Sequence, residues 1–455
     1  MIEKILIANR GEIAVRIIRT CKEMGIETVA IYSTADKQSL HVQLADESVC
    51  IGEPLAKDSY LNMNAIIQAA CNTGCDAIHP GFGFLSENSE FARLVEKCNL
   101  IFIGPSAEKI HLLGNKSQAR KMMKEAGIPV IPGSKEIIES IEHGKQVANE
   151  VGYPIMIKAS NGGGGRGMRI VHNETEFEIQ YQNAKAEAKA CFGDDDVYIE
   201  KYIENPKHIE VQVAGDHHGN IIHFYERDCS FQRRHQKMIE EAPCHILKND
   251  IRQKLFDDAI KACQKVQYDS LGTIEFLLDK YGHYYFMEMN TRIQVEHPVT
   301  EMICDIDLIK LQIIIAEGRK MNIRQEDIHR HGYALECRIN AEDMNRQFSP
   351  TPGKIQFMHL PGGRGVRIDS ATYNGCEISP YYDSMILKLI VFAPTRLECI
   401  KKMRVALSEL IIDGIQTNTK FHYYVLHSKD FITGDYDTSF CEKFIEELKE
   451  NGSIV

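Results

Sequence analysis

The 455-residue sequence has no C-x-x-C pair, no apolar run approaching the length of a membrane span, no internal repeat and no Gly-Lys-Ser/Thr ending to its glycine-rich stretch. Each absence closes a class. Fourteen cysteines scattered from Cys21 to Cys441 without paired spacing point to reduced thiols in a cytoplasm-like compartment, not to a disulfide framework or a zinc site. Without ~20 consecutive apolar residues no membrane helix is expected. Positive charge is also in deficit. A net charge of −11 disfavours nonspecific contact with nucleic acid or anionic membranes. A first strand expected from Lys4 leaves no room for a signal peptide, although a processed organelle protein fits equally well. What is present is ordinary for a globular chain: 44% hydrophobic and 26% charged residues, enough for roughly three domains.

The opening reads as a βαβ unit. Lys4 to Ala8 forms a strand, Gly11 to Met24 carries Ile13, Ile17, Ile18 and Cys21 at helical spacing, and Glu27 to Tyr32 forms the next strand. Continued α/β alternation predicts a parallel-sheet domain over 1–112. A lid over about 130–204 and carboxylate-bearing strands over 205–300 complete a second domain, 113–330. A third region follows over 331–446, with strands at Ala334 to Asn340 and Met385 to Phe392, a final helix at about 395–411 and a tail over 447–455 in which Asn451-Gly452-Ser453 looks frayed. Arg16, Arg19 and Glu23 share one side of the first helix, as a solvated face or a subunit contact.

The densest chemistry lies between Glu288 and Glu296. Glu288, Asn290, Arg292, Gln294 and Glu296 occupy every second position, which in a strand puts all five on one face until Pro298 stops it. Upstream, Gly272 to Leu278 and Tyr284 to Met289 read as a hairpin closed by Tyr281-Gly282, a register that sets Glu275 opposite Glu288. At ~5 Å and an effective dielectric near 20, two such charges repel by roughly 3 kcal/mol. A hard divalent cation relieves that, and oxygen ligands from Glu275, Glu288 and Asn290 suit Mg²⁺ or Mn²⁺. Two exposed carboxylates, or another register, are the plainer alternatives.

Mg²⁺ held by a few carboxylates usually also holds phosphates. Gly162 to Gly167 lies between two β-rich runs, so it lacks the following helix of a dinucleotide fingerprint and reads instead as a mobile hairpin whose bare N–H groups close over phosphates. Lys158 adds charge beside it, and Lys116 opens a helical stretch where it can make a second phosphate contact. The Tyr198 to Ile203 segment can bond an adenine edge. His208, Glu210 and Gln212 share a strand face, and Arg233 to Lys237 suggests a site for a small anion.

Taken together, Ile7 to Ala14, the Gly81 to Asn88 loop, Lys158 with the glycine run, Arg233 to Lys237, Glu288 to Pro298 and Glu336 to Glu342 resemble biotin carboxylase over residues 2 to about 445. That resemblance implies an α/β (α+β) chain with the ATP-grasp fold, a Rossmann-like N-terminal domain, a glycine-rich lid and a mixed C-terminal domain. It implies ATP contacts at Lys116, Lys158, Gly164, Gly165, Glu200, Lys201, Ile203, His208, Gln232, His235, Glu275 and Glu288. Glu275, Glu288 and Asn290 resemble ligands for two Mg²⁺ or Mn²⁺ ions. Lys237, Arg292, Gln294, Val295 and Glu296 resemble the bicarbonate pocket, with Glu296 as base and Arg338 beside biotin. Phe82 departs from the Tyr common in the family. No Met-Lys-Met setting for biotin attachment occurs, so a separate biotin carboxyl carrier protein, carboxyltransferase subunits and a homodimer are implied partners. The implied activity is the first half-reaction of acetyl-CoA carboxylase in the cytoplasm, leading to malonyl-CoA for fatty acid synthesis. A pyruvate or propionyl-CoA carboxylase subunit, another ATP-grasp carboxylate–amine ligase, and a silent nucleotide-binding subunit stay open.

Overall fold

A computed structural model describes residues 1–134, 136–160 and 167–453. Four short apolar strands, β1 (Lys4–Ile7), β2 (Glu27–Ser33), β3 (Glu47–Gly52) and β4 (Ala77–His79), join β5 (Ile101–Phe102) in a parallel sheet ordered β3-β2-β1-β4-β5. That order has a switch point beside β1, where the loops after β1 and β4 meet. Asn9 ties them by donating to the carbonyls of Pro80 and Phe82, each at 2.7 Å. Gly81 sits there at φ 61°, and a Cβ would lie 3.1 Å from both Asn9 and Ile13.

Three strands, β6 (Ile155–Ala159), β7 (Met168–Val171) and β8 (Val197–Lys201), form an antiparallel sheet of their own, backed by helices Ile141–Val151 and Glu174–Phe192. Its apolar core is separate, built from Ile155, Ile157, Phe177, Tyr181, Val197 and Ile199 among others. The 129–134 segment connects it to the rest. Phe286 N–H donates to the Pro129 carbonyl at 2.8 Å, and Lys201 N–H to that of Pro132 at 2.7 Å. Gly133 passes so near β8 that a Cβ would lie 2.2 Å from the Ile199 carbonyl oxygen.

The largest sheet is antiparallel and eight-stranded. Its first members are β9 (Lys207–Gly215), β10 (Ile221–Arg233), β11 (Gln236–Ala242), β12 (Leu271–Leu278), β13 (Tyr284–Asn290) and β14 (Tyr333–Asn340). The order runs β13-β12-β9-β10-β11-β14, then the Met385–Ala393 and Val366–Ser370 strands. It therefore crosses residue 331 without a break. All nine residues of β9 are buried. Ile209, Val211 and Val213 pack against the Asn249–Val266 helix, so His208, Glu210 and Gln212 take the opposite face.

Several expectations need correction. The polar alternation from Glu288 to Glu296 is not one strand: β13 ends at Asn290, and Glu296 is the residue before a helix, His297–Cys304. Pro298 starts that helix, where its missing N–H has no partner to lose. The β12–β13 connection is Lys280-Tyr281-Gly282, because Asp279 pairs with His283 and Gly282 takes φ 89°. The loop is thus one residue longer than expected. A bulge at Met287 restores the count, so Glu275 still faces Glu288. The helix at Arg396–Glu409 is not the last, since Thr419–Val425, Lys429–Thr433 and Phe440–Glu450 follow. Leu448 is buried in the same core as Phe231 and Phe421, so the tail does not begin at residue 447. Arg16 is neither solvated nor a free contact. It is 8% exposed and pairs with Glu301 and Asp307, both at 2.9 Å, whereas Arg19 and Glu23 are exposed.

Candidate active site

Strand register builds the site. Glu275 on β12 lies opposite Glu210 on β9 and Glu288 on β13, so three acids stand in a row across adjacent strands. Lys237 from β11 reaches over them and donates to Glu210, Glu275 and Glu296 at 2.5, 2.9 and 2.7 Å. Beneath, the fully buried Arg227 donates to Glu210, Gln212, Thr273 and Thr300. Burial opposes charge on Glu275, but Lys237 and His208 outweigh it and hold the carboxyl well below the usual carboxylate range.

Glu288 pairs with Lys116 at 2.7 Å. Lysines, in this structure, remove the repulsion that was expected to call for a metal. The donor set nevertheless fits a hard cation. Three ligand-capable atoms of His208, Glu210 and Glu275 converge within 4.8 Å, but Glu210 is sealed and saturated by Arg227 and Lys237. Glu288, with 23% of its side chain exposed, is the partner of Glu275 that opens on the cleft, and Asn290 joins Glu275 at 3.0 Å. Glu275, Glu288 and Asn290 would hold Mg²⁺ or Mn²⁺ there, where the ion neutralises phosphate charge.

Glu296 is completely buried. One oxygen accepts from Lys237 and the other from Arg338 at 2.9 Å. Burial works against its charge, and Lys237, Arg338 and Arg227 together keep it ionised well below the ordinary value. Arg292 donates to Glu87 at 2.8 Å, to Gln294 at 2.8 Å and to Asn290 at 3.2 Å. Gln294 in turn donates to Glu275 at 3.2 Å. The Val295 carbonyl is occupied by Lys388 at 2.9 Å. Residues 291–296, though not a strand, thus fold back over the acid row.

His208 is hydrogen-bonded to Gln232 at 2.8 Å, and its Nε2 lies 3.1 Å from a Glu275 oxygen. The helix Lys116–Glu125 links the cleft to the lid, with Lys116 on Glu288 and Arg120 3.6 Å from Glu200, which also takes Lys158 at 2.6 Å. Ile203 is half-buried just after β8. Lys201 turns away, donating to the carbonyls of Gly152 and Tyr153 at 2.8 and 3.0 Å. Gly164 and Gly165 lie outside the described residues.

The stretch Arg233 to Lys237 does not act as one anion patch. A tight turn with positive φ at Arg234 and His235 separates its members. His235 is exposed, Arg233 donates to the Gln347 carbonyl, and only Lys237 enters the acid row. Three participants were missed from sequence: Glu87, which anchors Arg292 and the Thr291 N–H; Arg227; and Glu210. Glu87 sits in the glycine loop and Glu210 at strand spacing from His208, so both carried a signal. Arg227 carried none.

Family models for "Biotin carboxylase, N-terminal domain", "Carbamoyl-phosphate synthase L chain, ATP binding domain" and "Biotin carboxylase C-terminal domain" match residues 1–110, 115–324 and 336–443. The chain is 54% identical over 445 residues to Biotin carboxylase 1 of Bacillus subtilis, covering 98% of this chain and 99% of that protein. A Campylobacter jejuni biotin carboxylase in a beta-gamma-ATP complex superposes with a TM-score of 0.95 at 51% identity, covering 97% and 99% of the two chains. The biotin carboxylase domain dimer of Hydrogenobacter thermophilus 2-oxoglutarate carboxylase, solved with MgADP, ADP and bicarbonate, superposes with a TM-score of 0.94 at 49% identity, covering 97% and 98%.

Proposed function

This chain belongs to the biotin carboxylase family of ATP-grasp ligases, and on that premise we propose how its residues divide the ATP-dependent carboxylation of biotin. The reaction uses ATP, magnesium, bicarbonate and biotin. The nucleotide lies between lid and acid row, with Lys116, Lys158, Glu200, Ile203, His208 and Gln232 around it. Lys201 and His235, whose side chains face elsewhere here, belong to the proposed set, as do Gly164 and Gly165. Arg292, Gln294, Lys237 and Val295 grip bicarbonate. Glu296 takes its proton, and the freed oxygen attacks the γ-phosphorus as the bond to the β-phosphate breaks and ADP leaves. Positioning and charge neutralisation do most of this. Carboxyphosphate then splits to CO₂ and phosphate. The phosphate accepts the biotin N1′ proton, Arg338 steadies the enolate-like oxygen, and N1′ attacks CO₂.

One observation carries the reading. The same buried carboxylate, Glu296, is hydrogen-bonded on one oxygen to the lysine that touches the acid row and on the other to Arg338. ADP release measured with and without bicarbonate and free biotin tests it. Release is expected to depend on bicarbonate and to rise further when biotin is added, and equal rates in all mixtures reject the reading. Arg338→Ala should impair biotin carboxylation while leaving ATP affinity largely intact.

The biotin arrives on a separate carrier protein, and carboxyltransferase subunits consume the product, with acetyl-CoA as the proposed acceptor. The Hydrogenobacter domain, which belongs to a 2-oxoglutarate carboxylase, keeps other acceptors in view. That domain is a dimer, and a homodimer using exposed Arg19 and Glu23 follows for this chain. No described helix is long and apolar enough to cross a membrane, and a cytoplasmic location is part of this proposal.

A further inference from the structure

The β11–β14 ladder places a second pair of glutamates face to face, Glu240 opposite Glu336, and neither is exposed at all. Facing like charges destabilise a sheet, and burial without partners aggravates it. Of the four carboxylate oxygens only Glu240 Oε1 is engaged, accepting from Arg338 at 2.6 Å. Glu240 Oε2 and both Glu336 oxygens have no hydrogen-bond donor among the described residues.

The charged and titratable groups facing the pair are few. They are Arg338 and Cys337 on β14, Lys388 on the Met385–Ala393 strand, Lys237 on β11, Cys229 on β10, and Glu296 at the start of the covering helix. Lys388 is engaged elsewhere, by the Val295 carbonyl at 2.9 Å and by Glu12 at 3.2 Å. Lys237 is taken by Glu210, Glu275 and Glu296. A proton is the donor that remains.

We propose that Glu240 and Glu336 share one proton, and that this neutral carboxyl fixes Glu240 beneath Arg338, so that the guanidinium stays anchored on Glu240 while it exchanges Glu296 for biotin. Both are positioning residues. Shared protonation satisfies an orphaned oxygen on each acid and leaves one negative charge to balance Arg338. Burial, opposed by Arg338 and reinforced by Glu296, pushes Glu240 up to about 7. It drives Glu336 well above the usual carboxylate range against the pull of Lys388. Loss of the proton would set an extra anion beside Arg338 and draw it away from the substrate.

The functional half rests on the assignment of Arg338 to biotin; the proton does not. Infrared difference spectra of the full chain near neutral pH, with ¹³C-glutamate labelling, compare wild type with Glu336→Gln. A deuterium-sensitive carboxylic-acid carbonyl band present in wild type and lost in the variant is expected, and its absence from wild type overturns the shared proton. The functional readout is kcat/KM for free biotin against pH. Wild type should decline on the alkaline side. Glu336→Gln, whose amide still donates to Glu240 but cannot ionise, should retain roughly tenfold more of its neutral-pH value there. Coincident profiles overturn the positioning role. Glu336→Leu, which cannot donate, should raise the KM for biotin well beyond Glu336→Gln, and equal KM values would also overturn it. Should wild type show no biotin-dependent turnover, the Arg338 assignment falls while the infrared band still decides the proton.

Discussion

The eight-stranded sheet sets glutamates face to face in more than one place, and two of these pairs, Glu275 with Glu288 and Glu240 with Glu336, are treated in opposite ways. Glu275 and Glu288 lie at the open end, each matched by a lysine, with Glu288 still reaching solvent. Glu240 and Glu336 lie at the sealed end, with one arginine bonded to Glu240 alone and three oxygens unmatched. Under the two proposals made above, the same cross-strand geometry serves a cation and phosphate site where the cleft is open, and a proton site where it is closed. Access and counter-charge, not spacing, decide which.

The sharpest way to break this contrast is Glu296→Gln, since Glu296 adjoins both ends. We expect biotin-dependent ADP release to fall by ~10²–10⁴-fold with nucleotide binding preserved, read by steady-state kinetics and ligand titration. A smaller effect is expected at the open end. Glu288→Gln should raise the Mg²⁺ concentration for half-maximal activity by at least ~10-fold, whereas Glu336→Gln should leave that requirement where it is.

The smallest effect is on stability against pH, and its sign differs between the ends. Glu275 and Glu296 have folded values far below the unfolded 4.5, and Asp369 sits at about 2. Their stabilisation is complete above the unfolded value and is lost as pH falls toward the folded one. Glu240 at about 7 behaves conversely, gaining stability as pH falls from 7 to 4.5. Buried His41 and His422, held at about 4 by burial, lose stability over much of that interval because the unfolded chain is protonated first. Denaturation midpoints should therefore change little between pH 7 and 4.5 and fall steeply below it. A steep fall beginning near neutrality would contradict the balance between sealed acids and sealed histidines.

The sequence made the open pair visible and hid the closed one. Glu275 and Glu288 could be matched because a hairpin carries its own register, although the match survived only because the longer loop and the Met287 bulge offset each other. Glu240 and Glu336 are brought together by strands almost a hundred residues apart, and nothing local announces such a pairing. Arg292, Gln294 and Glu296 were recognised as a functional row but placed on a strand, since alternation looks the same in an irregular segment that turns into a helix. The Phe440–Glu450 helix had a legible signal in Phe440, Phe444 and Leu448, four residues apart. Thr419–Val425 and Lys429–Thr433, at seven and five residues, are too short for periodicity to reveal.

Arg227 has a consequence for how such a protein can diverge. Its guanidinium joins β9 and β12 to Thr300, and thereby anchors the short helix that presents Glu296. The foundation of the cleft is thus held together by the packed protein itself. A lineage that changes the final recipient of the carboxyl group can remodel its outer surfaces and its choice of companions freely. The keystone beneath has to stay as it is.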